Sequence, residues 1–334
     1  MTKSTEVDET AVARATMVKL LAEGLRANPP RIPAQFVWDK EGLQLFEKIT
    51  QCEDYYPFAA EGNVLKFNID RILDTISPGA VVLELGSGSL EKTGIILEGL
   101  CRLQRPVDYY ALDLSQKELD RTLDRLAQTM PKNSCIRCHP LLGTYEASAE
   151  WLAESRVCHD RDVTILWLGS SIANETDTEI RKLLEGFASA YSRSRIRTLQ
   201  LLVGVDGSQD STQLSRAYDL SNDLSRRFAL NSLGSINRSL GYEVFDPTAW
   251  RFRGAWNPVK MQYETCLSPT TKMEIYIDGE AIELAAGDLV RVITSRKLDR
   301  LSLEKLVFGA GFSVTQSWKH GTCNYGLYQI EMLE

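Results

Sequence analysis

Apolar positions recur at helical spacing over residues 11–33, AVARATMVKLLAEGLRANPPRIP, and the run stops at Pro29, Pro30 and Pro33, which lack the amide that a helix interior needs. A second stripe places Leu43, Leu45, Phe46 and Ile49 on one face and ends at QCEDYYP, where Pro57 blocks simple continuation and leaves Tyr55 and Tyr56 on a loop. Residues 59–77 return to helical spacing. The period then changes. AVVLEL (80–85) is a short, β-branched apolar run that stops at Gly86-Ser87-Gly88, as a buried strand entering a tight turn does. Helix signals follow over 92–101, then a strand from Val107 to Asp113, a helix near 115–129, a strand over 135–139 and a helix after Thr144. VTILWLGSSIAN (163–174) reads as a further strand, 177–190 as a helix and TLQLLVGVD (198–206) as a strand. Strands alternating with helices at this spacing predict a mostly parallel sheet covered on both faces.

After Asp206 the alternation breaks. Residues 207–240 read as helix, and 241–296 hold short alternating segments such as MQYETCLS, MEIYIDGEAIEL and LVRVITSRKL. LSLEKLVFGAGF, SVTQSWKH and YGLYQIEML then read as the helix and strand pair that close the sheet. The predicted organisation is therefore an α/β sheet domain of residues 63–206 and 297–334 with an inserted α+β lobe. That lobe, residues 1–62 and 207–296, is discontinuous in sequence.

Composition narrows the chemistry. The formal net charge of -7 and the lack of a basic stripe interleaved with aromatics argue against nucleic acid as a partner. Seven scattered cysteines include one CxxC pair, Cys135 and Cys138, with no second pair to complete a zinc site. His139, His159 and His320 show no metal or triad spacing, so no metal is expected. An odd cysteine count, a polar start without signal features and no run near ~20 apolar residues predict a soluble, cytoplasmic protein without a membrane partner.

ELGSG (84–88) lies between a predicted strand and helix, where glycines allow positive φ and close approach of a ligand to the backbone. A dinucleotide site wants a third glycine at position 91, which is Glu91 here. An anionic pyrophosphate is disfavoured between Glu84 and Glu91, whereas a sulfonium nucleoside carrying an amine is tolerated. Asp113, ending the next strand, can accept both ribose hydroxyls. Glu84, Gly86, Ser87, Gly88 and Asp113 are thus candidate contacts for S-adenosylmethionine (SAM), with Thr144 and Tyr145 beside the adenine at the third strand's end.

The ordered set FVWDKEGLQLFEKIT (36–50), DYYP (54–57), ELGSGSLEKT (84–93), LGSSIAN (168–174), LVGVD (202–206), residues 216–241, AWNP (255–258) and AAGD (285–288) resembles one family. It is that of the histidine-specific methyltransferases of ergothioneine biosynthesis and their fungal relatives, which act on tryptophan or 4-dimethylallyltryptophan. The resemblance covers nearly the whole chain. It implies a Rossmann-like class I methyltransferase sheet that binds SAM and a lobe that binds substrate. It matches Gly86, Gly88, Lys92 and Asp113 to cofactor positions. Gly169 and Asn174 match the loop holding the substrate amine and carboxylate, Tyr218 the tyrosine gripping the carboxylate, and Tyr55 a tyrosine beside the ring. Ser295 matches a serine at the same end of the pocket.

Three departures carry the substrate expectation. Ile293 stands where histidine-specific members have a glutamate against the imidazole, Thr265 where they have a methionine, and Trp38 where they have a tyrosine. Losing the carboxylate removes the acceptor for an imidazole N–H, and the smaller Thr265 makes room for an indole. The implied activity is N-methylation of the α-amine of tryptophan or 4-dimethylallyltryptophan in alkaloid metabolism, by a monomer or weak homodimer, with Tyr55, Asn174 and Tyr218 closest to the chemistry. Two alternatives stay open: a histidine Nα-methyltransferase and a non-catalytic cofactor-binding partner protein. Plainer readings also stand. Tyr55 and Tyr56 would suit a packed loop, Asn174 a helix cap, Tyr218 core packing, and Cys135 with Cys138 a strand edge.

Overall fold

The computed structural model describes residues 2–131 and 134–333. Helix α1 (Thr2–Arg26) starts well before the apolar spacing predicts and ends ahead of the prolines. Helix α2 (Lys40–Thr50) is opened by the Asp39 carboxylate, which accepts the Gly42 N–H at 2.8 Å. Helix α3 (Tyr56–Leu73) overturns the expectation that both tyrosines lie on a loop. Tyr56 is its first residue and Pro57 its second, where a missing amide costs nothing because the first helical turn has no acceptors for it.

The alternating stretch follows in order: β1 (Val81–Leu85), α4 (Glu91–Arg102), β2 (Val107–Asp113), α5 (Gln116–Thr129), β3 (Ile136–Leu142) and α6 (Tyr145–Glu154). Next come β4 (Asp162–Trp167), α7 (Asp177–Arg193) and β5 (Thr198–Asp206). The strand expected over 163–174 is shorter than its apolar run. After Trp167 the backbone turns left-handed at Gly169 (φ 76) and Ser170 (φ 57) and enters a 3-10 turn, Ser171–Asn174. Thr176, not Asn174, caps α7, in a reciprocal pair with Glu179.

The stretch after β5 contains α8 (Ser211–Tyr218), α9 (Leu224–Leu240), β6 (Trp250–Asn257), β7 (Gln262–Pro269), β8 (Met273–Ile277), β9 (Glu280–Leu284) and β10 (Val290–Arg296). The chain closes with α10 (Arg300–Phe308), β11 (Phe312–Lys319) and β12 (Tyr325–Met332). It divides into two compact units: unit one runs to Tyr55 and resumes over Gln209–Arg296, and unit two comprises Tyr56–Ser208 and the chain from Lys297. The first division falls ahead of α3, which runs unbroken across the 62/63 position expected from sequence.

Unit two is built on a seven-stranded sheet of order β11-β12-β5-β4-β1-β2-β3. The strands from β5 to β3 are parallel, whereas β12 pairs antiparallel with both β5 and β11. One face packs Trp167, Leu201 and Phe312 against Leu184 and Phe187 of α7 and Leu303 and Val307 of α10. The other packs Val82, Tyr109 and Leu327 against Val64 of α3, Leu97 of α4 and Leu119 of α5. Because both faces are covered, β1 is buried at every position. Unit one holds a three-stranded antiparallel sheet, β10-β7-β6, and the β8–β9 hairpin. Among the described residues, no helix is long and apolar enough to cross a membrane.

Candidate active site

The turn after β1 is built around two glycines. Gly86 and Gly88 have φ of 71 and 52, and the Gly86 and Ser87 amides both donate to the Leu112 carbonyl at 3.1 Å. A Cβ on Gly86 would stand 2.8 Å from the Tyr145 hydroxyl, so bare backbone is required there. The turn is thereby tied to the end of β2, where Asp113 accepts the Ser115 N–H at 3.2 Å. Burial raises the Asp113 pKa, and hydrogen bonds from the Ser115, Leu114 and Gly88 amides act against that rise. Leu114, beside it, is 61% exposed, an apolar surface next to a carboxylate that sequence reading missed. A bare glycine cradle, a carboxylate at the end of the next strand and an apolar neighbour have the chemistry an adenosyl nucleoside calls for.

The other expected cofactor residues have varied surroundings. Tyr145 lies edge-on to Trp167, with ring centroids 5.6 Å apart, and burial pushes its phenol up to about 12. Thr144 caps α6 by accepting the Ala147 N–H at 3.3 Å. Ser87 is buried. Glu84 is buried too, and both carboxylate oxygens are engaged, by the Thr93 hydroxyl at 2.6 Å and by the Tyr109 hydroxyl.

Lys92, in the first turn of α4, reaches a group that sequence reading passed over. Its ammonium pairs with Glu61 of α3, a carboxylate with no solvent exposure. The Gly169 N–H donates to both Glu61 oxygens at 2.9 and 2.8 Å, and the Tyr325 hydroxyl donates at 2.8 Å. Gly169 is thus positioned through its amide, while Asn174, at the end of the same loop, is exposed. A second missed group is Asp206, buried at the end of β5. It accepts from the Tyr56 hydroxyl at 2.5 Å, the Lys297 ammonium at 2.6 Å and the Ser208 N–H at 3.0 Å. Its own N–H donates to the Ser170 Oγ at 3.0 Å. Glu61 lies outside every quoted motif and Asp206 only closes LVGVD; the side chains that engage them, Lys92 and Tyr325 for Glu61 and Tyr56 and Lys297 for Asp206, stand far along the chain.

In unit one the expected substrate residues gather on aromatic surface. Tyr55 meets Phe46 and Tyr218 edge-on, each at 5.8 Å, and Tyr218 stacks on Tyr263 at 5.0 Å. Trp38 packs against Phe46 at 5.0 Å and Phe228 at 5.3 Å. Tyr218 therefore does pack, as its helical spacing allowed. Burial pushes the Tyr263 phenol to about 12. Tyr263 pairs across β7 and β10 with Ser295, and Thr265 with Ile293, so all four side chains share one sheet face. A bulge between Arg291 and Ile293 sets that register. Gly254 on β6 makes room, since a Cβ there would stand 2.5 Å from the Tyr263 hydroxyl.

Among the described residues no group of acidic, histidine or cysteine side chains is arranged to hold a metal. His139 leans on Asp108 at 3.3 Å, while Cys135 and Cys138 are free thiols.

Comparison with known proteins agrees with the methyltransferase reading. Residues 17–332 match a family described as histidine-specific, SAM-dependent methyltransferases. The N-methyltransferase imqF of Aspergillus flavus is 34% identical over 314 residues, covering 94% of this chain and 84% of that protein. The 4-dimethylallyltryptophan N-methyltransferase easF of Arthroderma benhamiae is 31% identical over 321 residues, 94% of this chain and 92% of that protein. Ergothioneine biosynthesis protein 1 of Neurospora crassa is 32% identical over 304 residues, 90% of this chain and 33% of that protein. The family match spans almost the whole chain, and the cradle at Gly86 and Gly88 fits the cofactor that the family uses: this chain is an enzyme of the SAM-dependent, histidine-specific methyltransferase family.

Proposed function

We propose that the enzyme methylates the α-amine of an aromatic amino acid, tryptophan or 4-dimethylallyltryptophan, in alkaloid metabolism. The observation that carries this reading is the Ile293–Thr265 pair on the aromatic sheet face of unit one. An aliphatic and a small side chain, next to Tyr263 and Tyr218, leave no carboxylate at that pair for an imidazole N–H and suit the face of an indole. The relative easF, named for 4-dimethylallyltryptophan, supports it. The histidine reading draws support from the family description and from the Neurospora crassa relative.

When bound, the cofactor supplies a methyl group on a sulfonium. The chain's own residues must bring the amine to it neutral, although a free α-amino group is mostly protonated at pH 7. Asn174 and Tyr218 are proposed to hold the substrate carboxylate. The Gly169 carbonyl, with an ordered water, orients the nitrogen lone pair, and the proton leaves to water with help from the Tyr55 hydroxyl. Gly86, Ser87, Gly88, Lys92, Asp113 and Tyr145 are proposed to hold the cofactor, with Glu84 and Thr144 beside them. Trp38 crowds the nitrogen and stops transfer after one methyl. The proposed setting is the cytoplasm, as a monomer or weak homodimer.

The test is mass-spectrometric turnover of histidine, tryptophan, tyrosine and 4-dimethylallyltryptophan in parallel. A product heavier by one methyl group from an indole substrate is expected, with Ile293→Glu cutting indole turnover at least about tenfold, the loss of ~1.4 kcal/mol of binding. Turnover of histidine alone would overturn the indole reading, and a trimethylated product would overturn the role of Trp38.

A further inference from the structure

The left-handed turn at Gly169 and Ser170 follows β4 directly and is gripped from beneath. Gly169 donates its N–H to both oxygens of Glu61, and Ser170 receives the Asp206 N–H on its hydroxyl. Ser170 holds a positive φ that non-glycine residues avoid, so the surrounding bonds must maintain it. Glu61 reaches Lys92 as well, whose ammonium is fenced on another side by the Phe58 ring, 5.3 Å away. Lys92 keeps 17% of its side chain exposed while Glu61 has none. One buried carboxylate therefore fixes two things, the ammonium at the cofactor turn and the backbone after β4. Its place is reserved by β5, where a Cβ on Gly204 would stand 1.8 Å from the Glu61 Oε1.

We infer that Glu61 is a positioning residue for methyl transfer. It aims the Lys92 ammonium at the carboxylate of the cofactor's amino-acid end and sets the Gly169 carbonyl by holding the amide of the same residue. An ammonium has three donors, and the Glu61 contact leaves others to reach outward. Without Glu61, Lys92 is free to swing and the turn loses the acceptor that opposes its strain. This inference rests on the reading of Lys92 as a cofactor contact.

The experiment is a double-mutant cycle read by calorimetric SAM binding to the purified full chain, with E61Q, K92M and the E61Q/K92M pair. Each single change is expected to weaken SAM by about tenfold, and the pair by no more than K92M alone, because Glu61 acts through Lys92. Native affinity in E61Q, or losses that multiply to about a hundredfold in the pair, would overturn the inference. Native affinity in K92M would instead remove the reading on which the inference stands, and the inference with it. Should E61Q fail to fold, Y325F removes one neutral donor from the same carboxylate. A loss of SAM affinity of about twofold to threefold in Y325F that vanishes in the K92M background supports the inference; no loss overturns it.

Discussion

At Gly86 the effect of one added carbon follows from the backbone. Alanine there would keep a φ of 71 and meet the Tyr145 hydroxyl at 2.8 Å. A left-handed conformation costs a non-glycine residue roughly 1–2 kcal/mol, and a clash against the half-buried Tyr145 adds to it. Gly86→Ala is expected to lower SAM affinity at least tenfold, about 1.4 kcal/mol, by calorimetry; unchanged affinity would mean that the turn does not carry the cofactor. Glu84 makes a prediction in pH. Burial raises its pKa from 4.5 to about 7, although Thr93 and Tyr109 donate to it. As pH rises between those values the unfolded chain releases the proton while the folded chain retains it. Stability present below 4.5 is therefore lost as pH approaches 7, by about 3 kcal/mol at 1.36 kcal/mol per unit. Denaturant melts of wild type and Glu84→Gln should diverge across that window, and parallel curves would show that Glu84 does not titrate there. The glycine turn and Asp113 were legible because chemistry and local spacing coincide in them. Glu61 was not: its role depends on Gly204, Tyr325 and Lys92, which only the folded sheet assembles.

At the scale of elements, two departures from simple periodicity shape the loops and faces. The apolar run through Leu168, Ile172 and Ala173 continues the strand signal past Trp167, yet β4 stops there because Gly169 finds its hydrogen-bond partner in a side chain of α3. In β10, strict alternation from Val290 would align Val292 and Thr294 with it. The bulge after Arg291 instead brings Ile293 and Ser295 opposite Thr265 and Tyr263. Resemblance pointed to Ile293; alternation alone would have turned it away. The loop after β4 also separates two neighbouring polar residues. Thr176→Ala removes the cap of α7 and is expected to cost about 1 kcal/mol of stability with turnover unchanged. Asn174→Ala, at an exposed position, should do the reverse. Matching stability losses in chemical denaturation, with turnover intact in both, would make Asn174 a structural residue.

For the molecule as a whole, the alternation of strands and helices foretold the sheet, since a strand covered on both faces leaves a short, continuous apolar run. That rhythm breaks after Asp206, and the chain passes between its two compact units at Ser208 and Gln209. The earlier division at Tyr55 and Tyr56 was hidden by Pro57, which reads as a helix stop but sits in the first turn of α3. Ligand binding couples to global stability, so SAM at a hundredfold excess over its dissociation constant should stabilise the wild type by about 2.7 kcal/mol. That appears as a rise of several degrees in the melting temperature. Asp113→Asn is expected to shrink the rise while leaving the ligand-free melting temperature close to wild type; an undiminished rise would remove Asp113 from the cofactor site.

Asp206 has a consequence for how such a protein can change over generations. Tyr56, Ser208 and Lys297 border the points where the chain passes from one unit to the other, and all of them donate to that single carboxylate. The stretch from Gln209 to Arg296 therefore leaves and re-enters unit two at neighbouring positions, the arrangement in which an insertion disturbs its host least. Recombination that replaced this stretch as a cassette would spare the seven-stranded sheet and its glycine turn, so one part of the chain is open to exchange while the other is kept.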